Sequence, residues 1–219
     1  MGGRGGGSGQ NLGGGSGKNI NILNQTDVWS ARHNPNNADY VDAINTSVSR
    51  IQNDFPGIMD DVNEVNSATL GGADRDGVLG FYDPQAKTVA LNERYTDIRT
   101  MNDTYDASVA SGYHPGRGDR TGTEAVALHE MGHALTDHLG KKLGATDIDD
   151  AAKQIVDNAY KNSGGRGGTV AFAKKISGYA TESNAECIAE AVADWYCNGN
   201  KASSNSKAII REMQRINNS

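Results

Sequence analysis

Apolar residues recur at spacings of three and four through Val41, Ile44, Val48, Ile51 and Phe55, the stripe of an amphipathic helix that Pro56-Gly57 ends. Two β-rich runs follow, Gly77-Val78-Leu79-Gly80-Phe81-Tyr82 and Thr88-Val89-Ala90-Leu91. Between them lies Asp83-Pro84-Gln85-Ala86-Lys87, so a hairpin is expected. A short helix fits Asp97 to Val109, and Gly112-Tyr113-His114-Pro115-Gly116 reads as loop. The central helix should start near Thr121 or Thr123, either able to cap it, and run to Leu139 before Gly140. Ala125, Leu128, Ala134 and Leu135 supply its apolar positions. Further helices fit 147–161, 170–176, a segment capped by Ser183 and running through Tyr196, and 206–216, with a glycine-rich break at 164–168. Few and local strands among many helices predict an α+β fold.

Ahead of these elements, residues 19–30 alternate weakly, enough for a short strand. Residues 1–18 are nearly all Gly, Ser and polar groups, which cannot bury enough apolar surface to offset their ordering entropy. The expected organisation is therefore a flexible tail over 1–18 and one domain over 19–219. A formal net charge of -6 and the lack of any basic cluster argue against a nucleic-acid partner. No apolar run approaches the roughly 20 residues that span a bilayer, so no membrane partner is expected. The start has no hydrophobic segment of a signal peptide, which makes a cytoplasmic location the default. Cys187 and Cys197 are too few for a disulfide framework and read as reduced, packed thiols.

The chemistry concentrates in His129-Glu130-Met131-Gly132-His133. Histidines four apart on a helix lie about 6 Å apart along the axis and about 40° apart around it, so both imidazoles reach one tetrahedral metal. Glu130, about 100° around from His129, comes beside the metal instead of onto it, where it can take a proton from a metal-bound water. The implied cofactor is Zn2+. A catalytic zinc needs a third protein ligand and an open position. Glu186, Glu190 and Asp194, spaced by four, form an acidic stripe on a downstream helix. Glu186 as ligand, with Glu190 one turn on holding a histidine ring by its second nitrogen, completes such a site.

With Ser177-Gly178-Tyr179 and Asn184-Ala185-Glu186-Cys187-Ile188-Ala189-Glu190-Ala191 some fifty residues after the histidines, the chain resembles the glutamate-zincin peptidases, closest to their anthrax-lethal-factor-like branch. It also resembles small metallopeptidases encoded by phages and prophages, often beside head or tail genes. The glycine-rich start and the run Asp76-Gly77-Val78-Leu79-Gly80-Phe81-Tyr82-Asp83-Pro84 share in that likeness. The resemblance spans roughly residues 74–196. It implies a zincin-like fold, with a small sheet and hairpin against the histidine helix and a mainly helical C-terminal part. It implies His129, His133 and Glu186 as zinc ligands, Glu130 as general base and Glu190 as the carboxylate behind a ligand. It also implies Tyr179 as a hydroxyl that faces the metal and stabilises the oxyanion or protonates the leaving amine. A peptide or protein is the implied substrate, in a bacterial cytoplasm or on a virion.

Peptide deformylases share the two-histidine motif, but their third ligand is an upstream cysteine, and both cysteines here lie downstream. The rival reading from another class is a phage structural or assembly protein with a stabilising zinc site, no catalysis and virion partners. A toxin-like effector is a third. Elsewhere, His138 falls on another helix face and is expected to be exposed, His33 has no evident partner, and His114, which could line the cleft, is expected to be solvated as loop histidines usually are. Asp74 and Asp76 open like a calcium loop but lack its later ligands, and read as turn residues.

Overall fold

Seven α-helices and a three-stranded sheet make up residues 38–68 and 77–219, the part described by the computed structural model. The expected tail, the weak strand over 19–30, His33, Asp74 and Asp76 lie outside the described residues. The first helix, α1 (Ala38–Asp54), buries Val41, Ile44, Val48 and Ile51 along the stripe read from the sequence, and Phe55 closes it. Strand β1 (Glu64–Ala68) follows, then β2 (Gly80–Asp83) and β3 (Thr88–Asn92). The expected hairpin is there: β2 and β3 pair antiparallel, with Tyr82 opposite Val89. Its turn is held by Asp83 Oδ1, which accepts the N–H groups of Gln85 and Ala86, each at 2.9 Å. Lys87, at φ 56, brings the chain back into β3.

Strand β1 was not anticipated, and it pairs parallel with β3, giving the order β1-β3-β2. All five of its residues are buried. With the polar Glu64, Asn66 and Ser67 among them, the strand shows neither alternation nor an apolar run, the signals that would have marked it. Tyr40 and Ser67 share a buried 2.7 Å hydrogen bond that fixes α1 to this strand.

Helix α2 (Ile98–Ala110) starts at Asp97, whose carboxylate accepts Thr100 N–H at 2.8 Å. The central helix α3 (Gly122–Leu143) is capped by Thr121, and Thr121 and Glu124 bond each other's backbone in a reciprocal capping box. The expected stop at Gly140 is wrong. Gly140 lies inside the helix against Ala151, and the turn out of the helix is taken by Gly144 at φ 64. Helices α4 (Ile148–Asn162), α5 (Gly168–Ala173), α6 (Asn184–Asn198) and α7 (Ser204–Asn217) complete the chain. Helix α3 is the hub: α1, α2, α4, α6, α7 and strands β2 and β3 all pack on it. The architecture is α+β. Among the described residues no helix is long and apolar enough to cross a membrane, and both cysteines are free thiols.

Candidate metal centre

Helices α3 and α6 build the site together. His129 and His133 stand one turn apart on α3 with ring centroids 5.0 Å apart. Facing them is the first turn of α6, where Ser183 Oγ caps the helix by accepting Glu186 N–H at 3.1 Å. Close approach of the helices depends on Gly132, between the histidines: a Cβ there would lie 2.8 Å from Ala189 Cα. Glycine at this point lets α6 reach the histidines with two carboxylates.

Glu186 Oε2 lies 3.1 Å from His129 Nε2 and 3.4 Å from His133 Nε2. A tetrahedral zinc with bonds of about 2.0–2.1 Å holds its ligand atoms roughly 3.3–3.4 Å apart, so these three atoms fit around one ion. Glu186 Oε2 is also buried without a hydrogen bond, a costly state for a carboxylate oxygen unless a cation meets it. Glu130 is near enough to join a metal-holding group with the two histidines, their ligand atoms lying within 4.8 Å of one another. The donor set, two imidazoles and a carboxylate, suits zinc among divalent ions, and other metals with nitrogen and oxygen preference as well.

The second nitrogen of His129 is held from behind. Glu190, fully buried, accepts from His129 Nδ1 at 2.8 Å through Oε1 and from Ser177 Oγ at 2.7 Å through Oε2. This turns His129 Nε2 towards Glu186. Burial alone would raise the Glu190 carboxyl, but its bonds to His114 and His129 bring it down to about 2. Burial would likewise raise Glu186, yet the two imidazoles at its side hold it far below the usual carboxylate range. In His129, burial favours the neutral ring, and Glu186 and Glu190 outweigh it and raise its pKa well above that of a free imidazole. Three carboxylates around two histidines, Glu130 and Glu190 buried and Glu186 mostly so, make a place that demands positive charge, from protons or from a metal ion.

Glu130 is buried beside this cluster with its side chain on Gly80 at the start of β2. Burial raises its pKa, and the neighbouring imidazoles only partly counter that. Tyr179 lies in a short 3-10 turn, with its ring stacked on that of His129 at 5.7 Å between centroids and 11° between planes. Gly80, Leu79, Val126, Tyr105, Tyr113 and His114 line the cleft with Glu130 and Tyr179; it encloses about 580 Å³, part of it open to solvent.

Of the acidic stripe on α6, only two members serve the cluster. Asp194 faces away, its Oδ2 accepting Ser203 N–H at 2.8 Å and Ser206 Oγ–H at 2.6 Å at the start of α7. Two expectations fail. His114 is not a solvated loop residue: its Nδ1 lies 3.0 Å from Glu190 Oε1, inside the cleft. His138 is not exposed either; it is mostly buried and bonds Asp61 through Nδ1. Ser177 and Gly80 also belong to the site unannounced. Ser177 stood only within a quoted motif, and Gly80 within a strand. Comparison of the chain with protein-family models and with curated proteins finds no match, so function is argued from this geometry.

Proposed function

We propose that the chain is a zinc-dependent metallopeptidase of zincin-like fold that hydrolyses peptide bonds. The observation that carries this reading is the position of Glu186 Oε2, buried without a hydrogen bond within 3.4 Å of both imidazole Nε2 atoms, beside a glutamate that is not needed to complete the set. His129, His133 and Glu186 would hold the ion, and Glu190 would keep the His129 ring turned towards it. Bound there, zinc supplies Lewis acidity and lowers the pKa of a bound water towards about 7. Glu130, its proton affinity raised by burial, takes a proton from the attacking water and passes it to the leaving amine. Tyr179, whose ring lies flat against His129, would donate its hydroxyl to the developing oxyanion or the amine. A site serving only to brace the fold would use Glu130 as a fourth ligand, if at all, and not as a base.

Metal analysis of the purified chain, followed by incubation with a broad peptide library, tests the proposal. One zinc per chain is expected, lost in His129→Ala and Glu186→Ala, with cleavage abolished in Glu130→Gln while its zinc remains. Cleavage that survives Glu130→Gln would overturn the mechanism. Full zinc with no cleavage in the parent chain would turn the reading to a structural site, as in a phage assembly protein.

A further inference from the structure

Metal ligation, proton transfer and oxyanion contact leave one imidazole of the cleft without a task, that of His114. Its loop is fixed on both sides. Gly178 N–H donates to Gly112 C=O at 2.8 Å, Tyr179 N–H to Tyr113 C=O at 2.9 Å, and Tyr105 Oη–H to Pro115 C=O at 3.2 Å. The ring is held as firmly. It stacks on Tyr105 at 5.3 Å and 9°, and meets Tyr113 and Tyr179 edge-on at 5.0 and 5.3 Å. Ordering a loop and a ring to this degree is entropically costly, and a histidine serving only solubility gains nothing from it.

The hydrogen bonds also fix where its proton sits. Ser177 Oγ receives Ala180 N–H at 3.0 Å and so turns its own proton onto Glu190 Oε2. Glu190 Oε1 is shared by His129 Nδ1 at 2.8 Å and His114 Nδ1 at 3.0 Å. A carboxylate offers only lone pairs, so His114 presents an Nδ1–H to it, and in that tautomer the lone pair is at Nε2. Among the described residues Nε2 has no hydrogen-bond partner, and the ring lines the cleft beside Glu130 and Tyr179.

We propose that His114 is a substrate-contacting residue whose Nε2 accepts a hydrogen bond from one main-chain N–H of a bound peptide. The proposal rests on the metallopeptidase reading and adds a specificity to it: proline, lacking that N–H, is refused at the contacted position. The Glu190 carboxylate then serves two rings at once, orienting one towards the metal and the other towards the substrate.

The test uses the full chain carrying Glu130→Gln and loaded with zinc, so that peptides bind without being cut. Acetylated and amidated hexapeptides are selected on it, and a retained peptide is remade with each N–H replaced in turn by an ester oxygen. One ester analogue is expected to bind about tenfold more weakly. That penalty should vanish when His114→Phe is added, with zinc content unchanged. His114→Gln, whose side-chain oxygen can accept the same bond, should keep part of the penalty, and it decides the matter if the phenylalanine variant does not fold. Retention of no peptide, an ester penalty indifferent to both substitutions, or lost zinc with unchanged peptide affinity each overturns the proposal. Selected peptides that show the penalty yet are never cut by the parent zinc-loaded chain would sink the peptidase reading and leave the His114 contact standing.

Discussion

Gly132 and Ala189 touch where the histidine helix crosses the carboxylate helix, so closely that a Cβ on Gly132 would stand 2.8 Å from Ala189 Cα and 3.2 Å from Val192 Cβ. The atoms it would meet are backbone and the stem of a β-branched side chain, neither of which yields cheaply. Gly132→Ala must therefore part α3 from α6, and with them the histidines from Glu186. Overpacking of this kind costs about 1–3 kcal/mol, within what a fold of this size survives. The expected variant is folded, melts at lower temperature without metal, and binds zinc at least tenfold more weakly. Calorimetric zinc titration beside a thermal melt checks it, and unchanged zinc affinity would show that the crossing does not set the site.

In the proposed site Glu190 would act on the metal only through His129. Glu190→Gln keeps the size of the side chain and loses the charge, and its amide can offer an acceptor to only some of the three donors now gathered there. Zinc affinity should fall by about 10–100-fold, the usual cost of losing a carboxylate behind a ligating histidine. Asp194→Ala, from the same stripe, should leave zinc binding intact. It should lower stability by about 1–3 kcal/mol through loss of the α7 start that Asp194 bonds. Paired zinc titrations and denaturant melts separate the two; equal loss of zinc in both would place Asp194 in the metal site.

That contrast shows what the sequence could and could not tell. The helices were legible because the longer ones carry a periodic apolar stripe and several begin at a side chain that caps them, as Thr121, Asp147 and Ser183 do. His129 with His133, and Glu186 with Glu190, were legible because helix geometry turns a spacing of four into a common face, and Glu130 because it falls about 100° around, beside that face. The same spacing put Asp194 on that face, and only the packing of α7, formed by later residues, gives it a different partner. Strand β1 stayed hidden because it buries the polar residues Glu64, Asn66 and Ser67, and so shows neither alternation nor the apolar run of a strand covered on both faces. His114 was misread because nothing near it in sequence predicts its burial; its carboxylate partner lies 76 residues on. Local patterns announce local structure, and contacts across that distance do not appear in them.

Glu130 has its place because residue 80 lacks a side chain. A Cβ there would lie 2.9 Å from Glu130 Cγ and 3.1 Å from both its Oε1 and the carbonyl of Ala90. Since the Ala90 carbonyl belongs to the sheet, the glutamate is what must move in Gly80→Ala. Zinc content should be unchanged, because the proposed ligands do not contact residue 80. Turnover should drop by about a hundredfold, the scale on which a misplacement near 1 Å acts. Measured kcat with zinc content on the same sample checks it, and parental kcat would show that Glu130 need not occupy this position.

Acid stability should depend on a pair outside the metal centre. Asp61 accepts from His138 Nδ1 and from Lys141 Nζ, both on α3 beyond His133. Burial pushes the Asp61 carboxyl up, but the bonds from Lys141 and His138 outweigh it and hold it below its usual value. A depressed carboxyl contributes stability that is fully present above the unfolded value, near 4, and is lost as the pH falls through the folded value. With metal removed by a chelator, so that acid-driven metal loss does not intrude, the parent chain should lose stability between about pH 5 and pH 3 more steeply than Asp61→Asn. Near neutral pH the order reverses, and the variant is the less stable of the two. Denaturant midpoints taken across this range read both limbs, and parallel curves for the two chains would show that the Asp61 pairings contribute nothing to the fold.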